Sequence, residues 1–181
     1  RHLVFVDSPL LFDLPSMLEG GSPFRWDPDH GTRIGLLPRA GGEMRWFDIA
    51  DGYVNHYWNA WEDGDVVTFS GSSIVGTSFT VGEGGAADDE GAEADDLGGD
   101  FPHINDAFTG VRSRYHSMSA FSGPADAVGH FDTVVQYDDL TGRRADWHAG
   151  EGVVVGEAAF DADPDGAAEA DGWLLETVHD R

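Results

Sequence analysis

The residue with the clearest capacity for chemistry is His56, which lies in a β-patterned run from Tyr53 to Glu62. A histidine on a strand can present one ring nitrogen to a metal ion while a carboxylate holds the other nitrogen. Asn59 and Glu62 follow closely in the same run. The chain contains no cysteine, which excludes disulfides, thiolate metal sites and a cysteine nucleophile. Any metal must therefore be bound by histidine, carboxylate or water.

The other seven of the eight histidines are expected to be structural or surface residues. His2 stands near the start of a strand and is expected to be structural. For His103 and His116, beside a Phe-Pro-x-Ile-Asn and an Arg-Tyr block, polar packing is favoured over lining a cavity. The remaining four are expected to face solvent: His30, His130, His148 and His179.

Two acidic segments invite comparison with calcium sites. Residues 161–166 match the D-x-D-x-D-G start of an EF-hand loop, but the twelfth position is Gly172, where a bidentate glutamate is required. A polar turn is therefore expected there.

Residues 83–99 contain only Gly, Ala, Asp and Glu apart from Leu97. Because such a segment cannot bury a core, we expect a disordered, solvated acidic loop.

The charge of the chain is strongly negative. Thirty-four acidic residues stand against ten basic ones, all of them arginine, for a net charge of −24. This field repels nucleic acid and anionic membranes. Six Trp and eleven Phe argue against general disorder. The composition favours adaptation to molar salt, where the Debye length is about 3 Å and self-repulsion fades.

The elements that must position these residues are predicted to be short strands. No run of eighteen apolar residues is present, and no long helical period interrupts the β-patterned runs. Residues 138–144 are predicted to form a turn into a further strand. Spacing near ten residues favours an all-β sandwich, barrel or propeller. The predicted strands are Leu3–Val6, Arg33–Leu37, Met44–Asp48, Val54–Asn59, Asp65–Phe69, Ser113–Phe121, Thr133–Asp138 and Trp173–Val178.

The spacing of His56, Asn59, Ala60 and Glu62 resembles the H-x-x-N-A-x-E signature of the carotenoid cleavage oxygenases, which are non-haem iron enzymes. Further blocks resemble that family in order and spacing, over nearly the whole chain except about residues 70–99. These blocks are Gly21–Pro28, Arg33–Arg39, Arg45–Phe47, Phe101–Asn105, Gly110–Tyr115, Gly156–Phe160 and Glu169–Leu175.

The resemblance implies part of a single seven-bladed β-propeller domain, with about four blades in residues 1–181. Both ends of the chain have strand character, and we expect a fragment of a longer protein. In the family, four histidines bind Fe(II) on the propeller axis, and three acidic residues hold some of them from behind. The implied reaction adds O2 across one C=C bond of an apolar polyene or a stilbene, although one branch isomerises a retinoid ester.

Position by position, the resemblance makes His56 the third iron ligand. Asp100 stands where the family usually has a glutamate behind a ligand histidine, and Glu157 matches another such glutamate. Because aspartate is one methylene shorter, its hydrogen bond to the imidazole is expected to be longer or absent. The other three ligands are expected outside this chain, two upstream and one downstream. The isolated chain is therefore expected to hold iron poorly.

A second function remains open from the residues alone. Six Trp and several Phe could serve a non-catalytic β module that binds an apolar ligand or carbohydrate, although blade packing explains most of them. A hydrolase is disfavoured, since no G-x-S-x-G or H-E-x-x-H motif occurs. For the oxygenase, the expected partners are a polyene and O2, with no nucleic acid. We expect a high-salt cytoplasm and peripheral contact with a membrane.

Overall fold

The computed structural model describes residues 1–49, 52–73, 78–82, 87–88, 97–122 and 130–180. This part of the chain is almost entirely β, as predicted, with one helix, α1 (Leu14–Leu18), and one 3-10 turn (Asp106–Phe108). Neither has the length and apolar character needed to cross a bilayer. The strands are β1 (His2–Asp7), β2 (Leu10–Phe12), β3 (Phe24–Trp26), β4 (Thr32–Pro38), β5 (Arg45–Ile49), β6 (Val54–Asp63), β7 (Val66–Ser73), β8 (Ser78–Gly82), β9 (Ala87–Asp88), β10 (Gly99–His103), β11 (Tyr115–Ala120), β12 (Thr133–Asp138), β13 (Arg143–His148), β14 (Val153–Val155), β15 (Ala159–Ala162), β16 (Gly172–Leu175) and β17 (Val178–Asp180).

The first core lies between two antiparallel sheets. One sheet has the order β1-β4-β5, and the other has the order β6-β7-β8-β9. Ile34, Leu36 and Phe47 project from the first sheet and are buried. They pack against Val54 and Phe69 of the second sheet. The alternation of apolar residues along these strands therefore buries one face of each sheet against the other.

A second four-stranded antiparallel sheet has the order β10-β11-β12-β13. Its core is formed by Ala120, Val135 and Tyr137. The turn predicted at residues 138–144 joins β12 to β13, and Gly142 there adopts a φ of +66°. Glycine takes up this left-handed conformation without steric cost. The predicted turn into a further strand is confirmed.

A stack of three rings joins the two four-stranded sheets. The ring of His116 lies parallel to Trp58 of β6 at 4.5 Å and to Tyr137 of β12 at 4.8 Å. Nδ1 of His116 lies 3.0 Å from a carboxylate oxygen of Asp139. His116 is buried and serves packing, in agreement with the sequence-based expectation.

All eight predicted strands overlap observed ones, but Trp173–Val178 is wrong as a single strand. β16 ends at Leu175 and pairs with β15, whereas β17 begins at Val178 and pairs with β14. Between them, the Glu176 side chain and the Thr177 carbonyl accept hydrogen bonds from the N–H of Gly156, at 2.8 and 3.0 Å. These bonds hold the chain where it passes from one sheet to the other.

The segment from Leu10 to Trp26 contains elements that the strand pattern did not predict. β2 and β3 pair with each other, and α1 lies between them. Asp13 caps α1 by accepting the N–H of Ser16 at 3.0 Å, and Pro15 occupies the first turn. The Asp-Leu-Pro sequence carries this signal, because aspartate favours the cap and proline the first turn of a helix.

The structure tests the expectations for the two acidic segments, residues 83–99 and 161–166, to different extents. Most of residues 83–99 lie outside the described residues, so the predicted disordered loop stays a prediction there. Within the segment, Ala87–Asp88 pair with β8, and Leu97 packs against the second core. At residues 161–166, Asp163 accepts the N–H of Asp165 at 2.9 Å. This aspartate is engaged by its own turn, as the expectation of a polar turn requires.

Candidate metal-ligand site

His56 lies in a part of β6 that departs from regular strand geometry. One extra residue stands before it, at Asn55, and another follows Tyr57, at Trp58. Such β-bulges bend a strand and redirect its side chains. Consecutive residues of a regular strand point to opposite faces, yet Asn55 and His56 both reach Asp100.

The neighbouring strand accommodates the bulged backbone through Gly71. A Cβ atom at this position would lie 2.7 Å from the carbonyl oxygen of His56 and 2.6 Å from a methyl group of Val54. Both distances are shorter than van der Waals contact. Glycine is therefore required for β7 to approach β6 at the histidine.

Asp100 of β10 holds His56 from behind. Its Oδ1 lies 2.9 Å from Nδ1 of His56 and accepts a hydrogen bond from the Ser72 hydroxyl at 2.6 Å. Its Oδ2 accepts a bond from the Asn55 amide at 3.2 Å. The expectation of a long or absent hydrogen bond to His56 is wrong, because β10 packs directly against β6 and the shorter side chain reaches the ring.

The charge of Asp100 determines which ring nitrogen of His56 carries the proton. Burial raises the pKa of Asp100, but hydrogen bonds from Ser72, His56 and the Phe101 N–H outweigh burial, and the net pKa lies below its usual value. The carboxylate is therefore ionised at neutral pH and can only accept hydrogen bonds. Nδ1 of a neutral His56 must donate, which leaves the lone pair on Nε2. The His56 side chain is 50% exposed, so the ring is not enclosed by this chain.

An aromatic row begins at the same place. Phe101 has a φ of +56°, in the left-handed region that costs a bulky residue energy. Its ring centre lies 5.2 Å from that of His56 and 5.4 Å from that of Phe131. Phe131 stacks in turn on Phe121 at 4.4 Å. The strained residue thus places an apolar wall beside the imidazole.

The other polar residues of the H-x-x-N-A-x-E run do not contact His56 through any bond in the described part of the chain. Glu62 instead accepts hydrogen bonds from the backbone N–H of His2 at 2.8 Å, and its Oε1 lies 3.0 Å from the ring Nδ1 of His2. This pairing ties β6 to β1. It also gives His2 the structural role expected from the sequence.

Asn59 is 6% exposed and anchors the loop that follows β10. Its amide group donates to the carbonyl oxygens of Phe108 and Val111, at 3.2 and 2.8 Å. Its side-chain oxygen accepts the N–H groups of Ala60 and Gly110, at 2.9 and 3.0 Å. The amide nitrogen also lies 3.3 Å from the Ser113 hydroxyl, so both ends of the side chain are engaged, mainly by backbone groups. This pattern needs a donor and an acceptor on one short side chain, which asparagine supplies.

We expect Asn59→Asp to destabilise the protein strongly. The new carboxylate would face two carbonyl oxygens in a buried position, and an uncompensated buried charge costs about 3–5 kcal/mol. Denaturant-induced unfolding followed by circular dichroism measures the loss. Asn105→Asp is the control, because the side-chain oxygen of Asn105 caps the N–H of Ala107, a role that aspartate also fills. This variant loses only one donated bond, to the Glu169 carbonyl, at a half-buried position, so a smaller loss is expected. Equal losses for the two variants would contradict this account of Asn59.

Comparison with known proteins identifies the family. The profile of the Retinal pigment epithelial membrane protein family matches residues 1–82 and 78–181. The chain belongs to the carotenoid cleavage oxygenase family. It is 30% identical over 212 residues to a probable carotenoid cleavage dioxygenase 4 of Arabidopsis thaliana, and 28% identical over 182 residues to a carotenoid cleavage oxygenase of Mycobacterium tuberculosis. These alignments cover 99% and 84% of this chain.

Solved oxygenase structures share the fold of this family member. A mutant of the Synechocystis apocarotenoid oxygenase matches with a TM-score of 0.84 and 21% identity over 99% of this chain. The Pseudomonas brassicacearum lignostilbene dioxygenase matches with a TM-score of 0.80 and 23% identity over 98%. The chain spans 35% of the Arabidopsis protein and 43% of the Synechocystis chain, less than half of each.

Of the described histidines, His56 combines a carboxylate behind its ring with a half-exposed side chain at the position that the family signature marks. Among the described residues no three His, Asp or Glu side chains cluster as a metal site. His56 fits as a single contributor, because Asp100 binds Nδ1 and leaves Nε2 as the ligand atom. Glu157 is exposed and has no bond to His56 in the described part of the chain. It lies near Glu176, whose pKa is raised by burial and also by the charge of Glu157.

Four residues contribute to the site around His56 that were not predicted from the sequence to do so. Ser72 and Asn55 bind Asp100, Gly71 admits the bulge, and Phe101 packs on the imidazole. Of the four, only Gly71 could have been predicted from the sequence, since a glycine inside a strand often marks a bulge or a close backbone approach. The serine and asparagine have no distinctive spacing from His56.

Proposed function

We propose that the full-length protein is an Fe(II)-dependent dioxygenase that cleaves one C=C bond of a carotenoid or related polyene with O2, giving two carbonyl products. Family membership supports the reaction class. The observation that carries the iron proposal is the 2.9 Å contact between Asp100 and Nδ1 of His56, which in the neutral imidazole places the lone pair on Nε2. A carboxylate behind an imidazole is the common arrangement at metal-binding histidines.

His56 is proposed as one of four histidine ligands, with the other three on segments outside this chain. One solved Synechocystis oxygenase structure is described as cobalt-substituted, which supports a metal centre in the fold. Asp100 is proposed to hold His56, and Glu157 to hold a ligand outside this chain. The two four-stranded antiparallel sheets support a seven-bladed propeller with about four blades here.

At the proposed iron site, the residues of this chain have three different roles: ligand, support of the ligand and apolar lining. Bound Fe(II) supplies the redox chemistry that allows O2 to react with an alkene. His56 provides a neutral imidazole, which leaves the charge of the ion intact, and Asp100 keeps the proton on Nδ1. Phe101, Phe131 and Phe121 form a half-buried apolar wall that suits a polyene.

The test is iron titration and product analysis on the full-length protein in high salt. Stoichiometric Fe(II) binding and carbonyl products from β-carotene, apocarotenals or stilbenes would support the proposal. The alternative is a non-catalytic β module for an apolar ligand or carbohydrate. Ligand binding with neither iron uptake nor product formation would favour that alternative and overturn the oxygenase.

We also propose that the segment from β2 to β3 contacts a membrane surface, from which an apolar substrate could be drawn. Phe12, Leu14, Leu18 and Phe24 are exposed there, and Leu18 is 75% exposed. The negative charge of the chain favours zwitterionic over anionic lipid. We expect co-sedimentation with phosphatidylcholine vesicles and its loss in Leu18→Asp. Equal sedimentation of the two proteins would contradict this contact.

A further inference from the structure

Ser72 is the buried donor behind the His56–Asp100 pair. It lies on β7 directly opposite His56 and is 7% exposed. Its hydroxyl donates to Oδ1 of Asp100 at 2.6 Å, the same oxygen that accepts Nδ1 of His56 at 2.9 Å. A short hydrogen bond to a charged acceptor is among the stronger ones in proteins.

Besides His56 and Ser72, the Asp100 carboxylate accepts hydrogen bonds from the Phe101 N–H and from the Asn55 amide. The Phe101 N–H belongs to the next residue of the same strand, so it does not tie the carboxylate to the strand that carries His56. The Asn55 amide holds Oδ2 at a longer 3.2 Å from an exposed side chain, so water competes with it. Rotation of the carboxylate about its Cβ–Cγ bond would move Oδ1 away from the imidazole. A buried donor on the strand opposite His56 opposes that rotation.

We propose that Ser72 is a positioning residue that orients the Asp100 carboxylate and thereby keeps the His56 proton on Nδ1 and the lone pair on Nε2. The contribution to iron binding rests on the function proposed above, whereas the contribution to the tautomer does not. Ser72 touches neither substrate nor the ligand atom and acts only through Asp100.

The tautomer of His56 is tested first, in the metal-free full-length protein, by long-range proton–nitrogen NMR. The wild-type protein is expected to show the Nδ1–H form alone. Ser72→Ala is expected to mix in the Nε2–H form, while Ser72→Thr retains the hydroxyl and restores the wild-type spectrum. An unchanged tautomer in Ser72→Ala would overturn the inference, even for a protein that binds no iron.

Iron affinity is tested next, by competition with a chelator. Loss of a partner behind a ligand typically costs about 10–100-fold in metal affinity, and we expect about 10-fold for Ser72→Ala. Thr141→Val is the matched control, because the Thr141 hydroxyl donates to Asp138 at 2.8 Å in the β12–β13 turn. This variant is expected to bind iron normally, and an equal loss there would overturn the inference.

A double-mutant cycle shows whether Ser72 acts through Asp100. Coupled residues give non-additive effects. In the Asp100→Asn background, Ser72→Ala is expected to cause no further loss of iron affinity. Independent, multiplying losses would overturn the inference while leaving the proposed oxygenase intact. Failure of the wild-type protein to bind Fe(II) would instead overturn the proposed function, and the NMR result would still decide the role of Ser72.

Discussion

His56→Ala in the full-length protein is expected to abolish polyene cleavage and to lower Fe(II) affinity by more than 100-fold. Removing a supporting carboxylate typically costs about 10–100-fold, and removing the ligand itself must cost more. The change also leaves Asp100 ionised and partly buried without one of its donors. Iron content by atomic absorption and turnover by chromatography of the carbonyl products measure the two losses.

Two sets of variants show whether that loss arises from ligation. His179→Ala replaces an exposed histidine of β17 and is expected to retain iron and activity. Asp100→Asn and Glu157→Ala are expected to fall between the wild type and His56→Ala, because the proposed ligands lose their support but remain present. Full turnover by His56→Ala would remove this histidine from the proposed metal centre.

The sequence was sufficient to single out His56 and Asp100 but not the geometry that joins them. Spacing and family resemblance led to both residues. The length of an aspartate side chain suggested that the hydrogen bond would be long or absent, yet the observed distance is 2.9 Å. That distance depends on where β10 lies relative to β6, a tertiary relation between residues 44 positions apart. Side-chain length alone could not predict it.

The β-bulges in β6 are a second feature that the sequence pattern did not predict. An extra residue at Asn55 breaks the usual alternation, so Asn55 and His56 both reach Asp100 instead of facing opposite sides of the sheet. The pattern also left the roles of Asn59 and Glu62 undefined. In the structure these residues bind the loop after β10 and His2 of β1. The run that carries the family signature therefore combines one candidate ligand with two residues that hold the surrounding backbone.

The acidic surface leads to a prediction about the whole fold. The described strands form three apolar clusters, which argues that the charge of −24 is carried by a folded protein rather than a disordered one. Many carboxylates bind backbone N–H groups of their own turns, as Asp163 does. Such local bonds do little to reduce long-range repulsion between like charges.

We expect the protein to unfold when dialysed from molar salt into dilute buffer. The Debye length grows from about 3 Å at 1 M to about 30 Å at 0.01 M, so carboxylates across the whole surface then repel one another. Circular dichroism as a function of salt concentration measures the transition. Sucrose strengthens burial without screening charge and is not expected to replace the salt.

A charge-reduced variant tests screening directly. Glu43, Asp65 and Glu151 are exposed, and replacing them with Gln, Asn and Gln removes three negative charges at nearly constant volume. The salt concentration at the midpoint of unfolding is expected to fall in this variant, because less repulsion remains to be screened. An unchanged spectrum of the wild-type protein in dilute buffer would show that the fold tolerates its charge unaided, and the proposed adaptation to high salt would then be wrong.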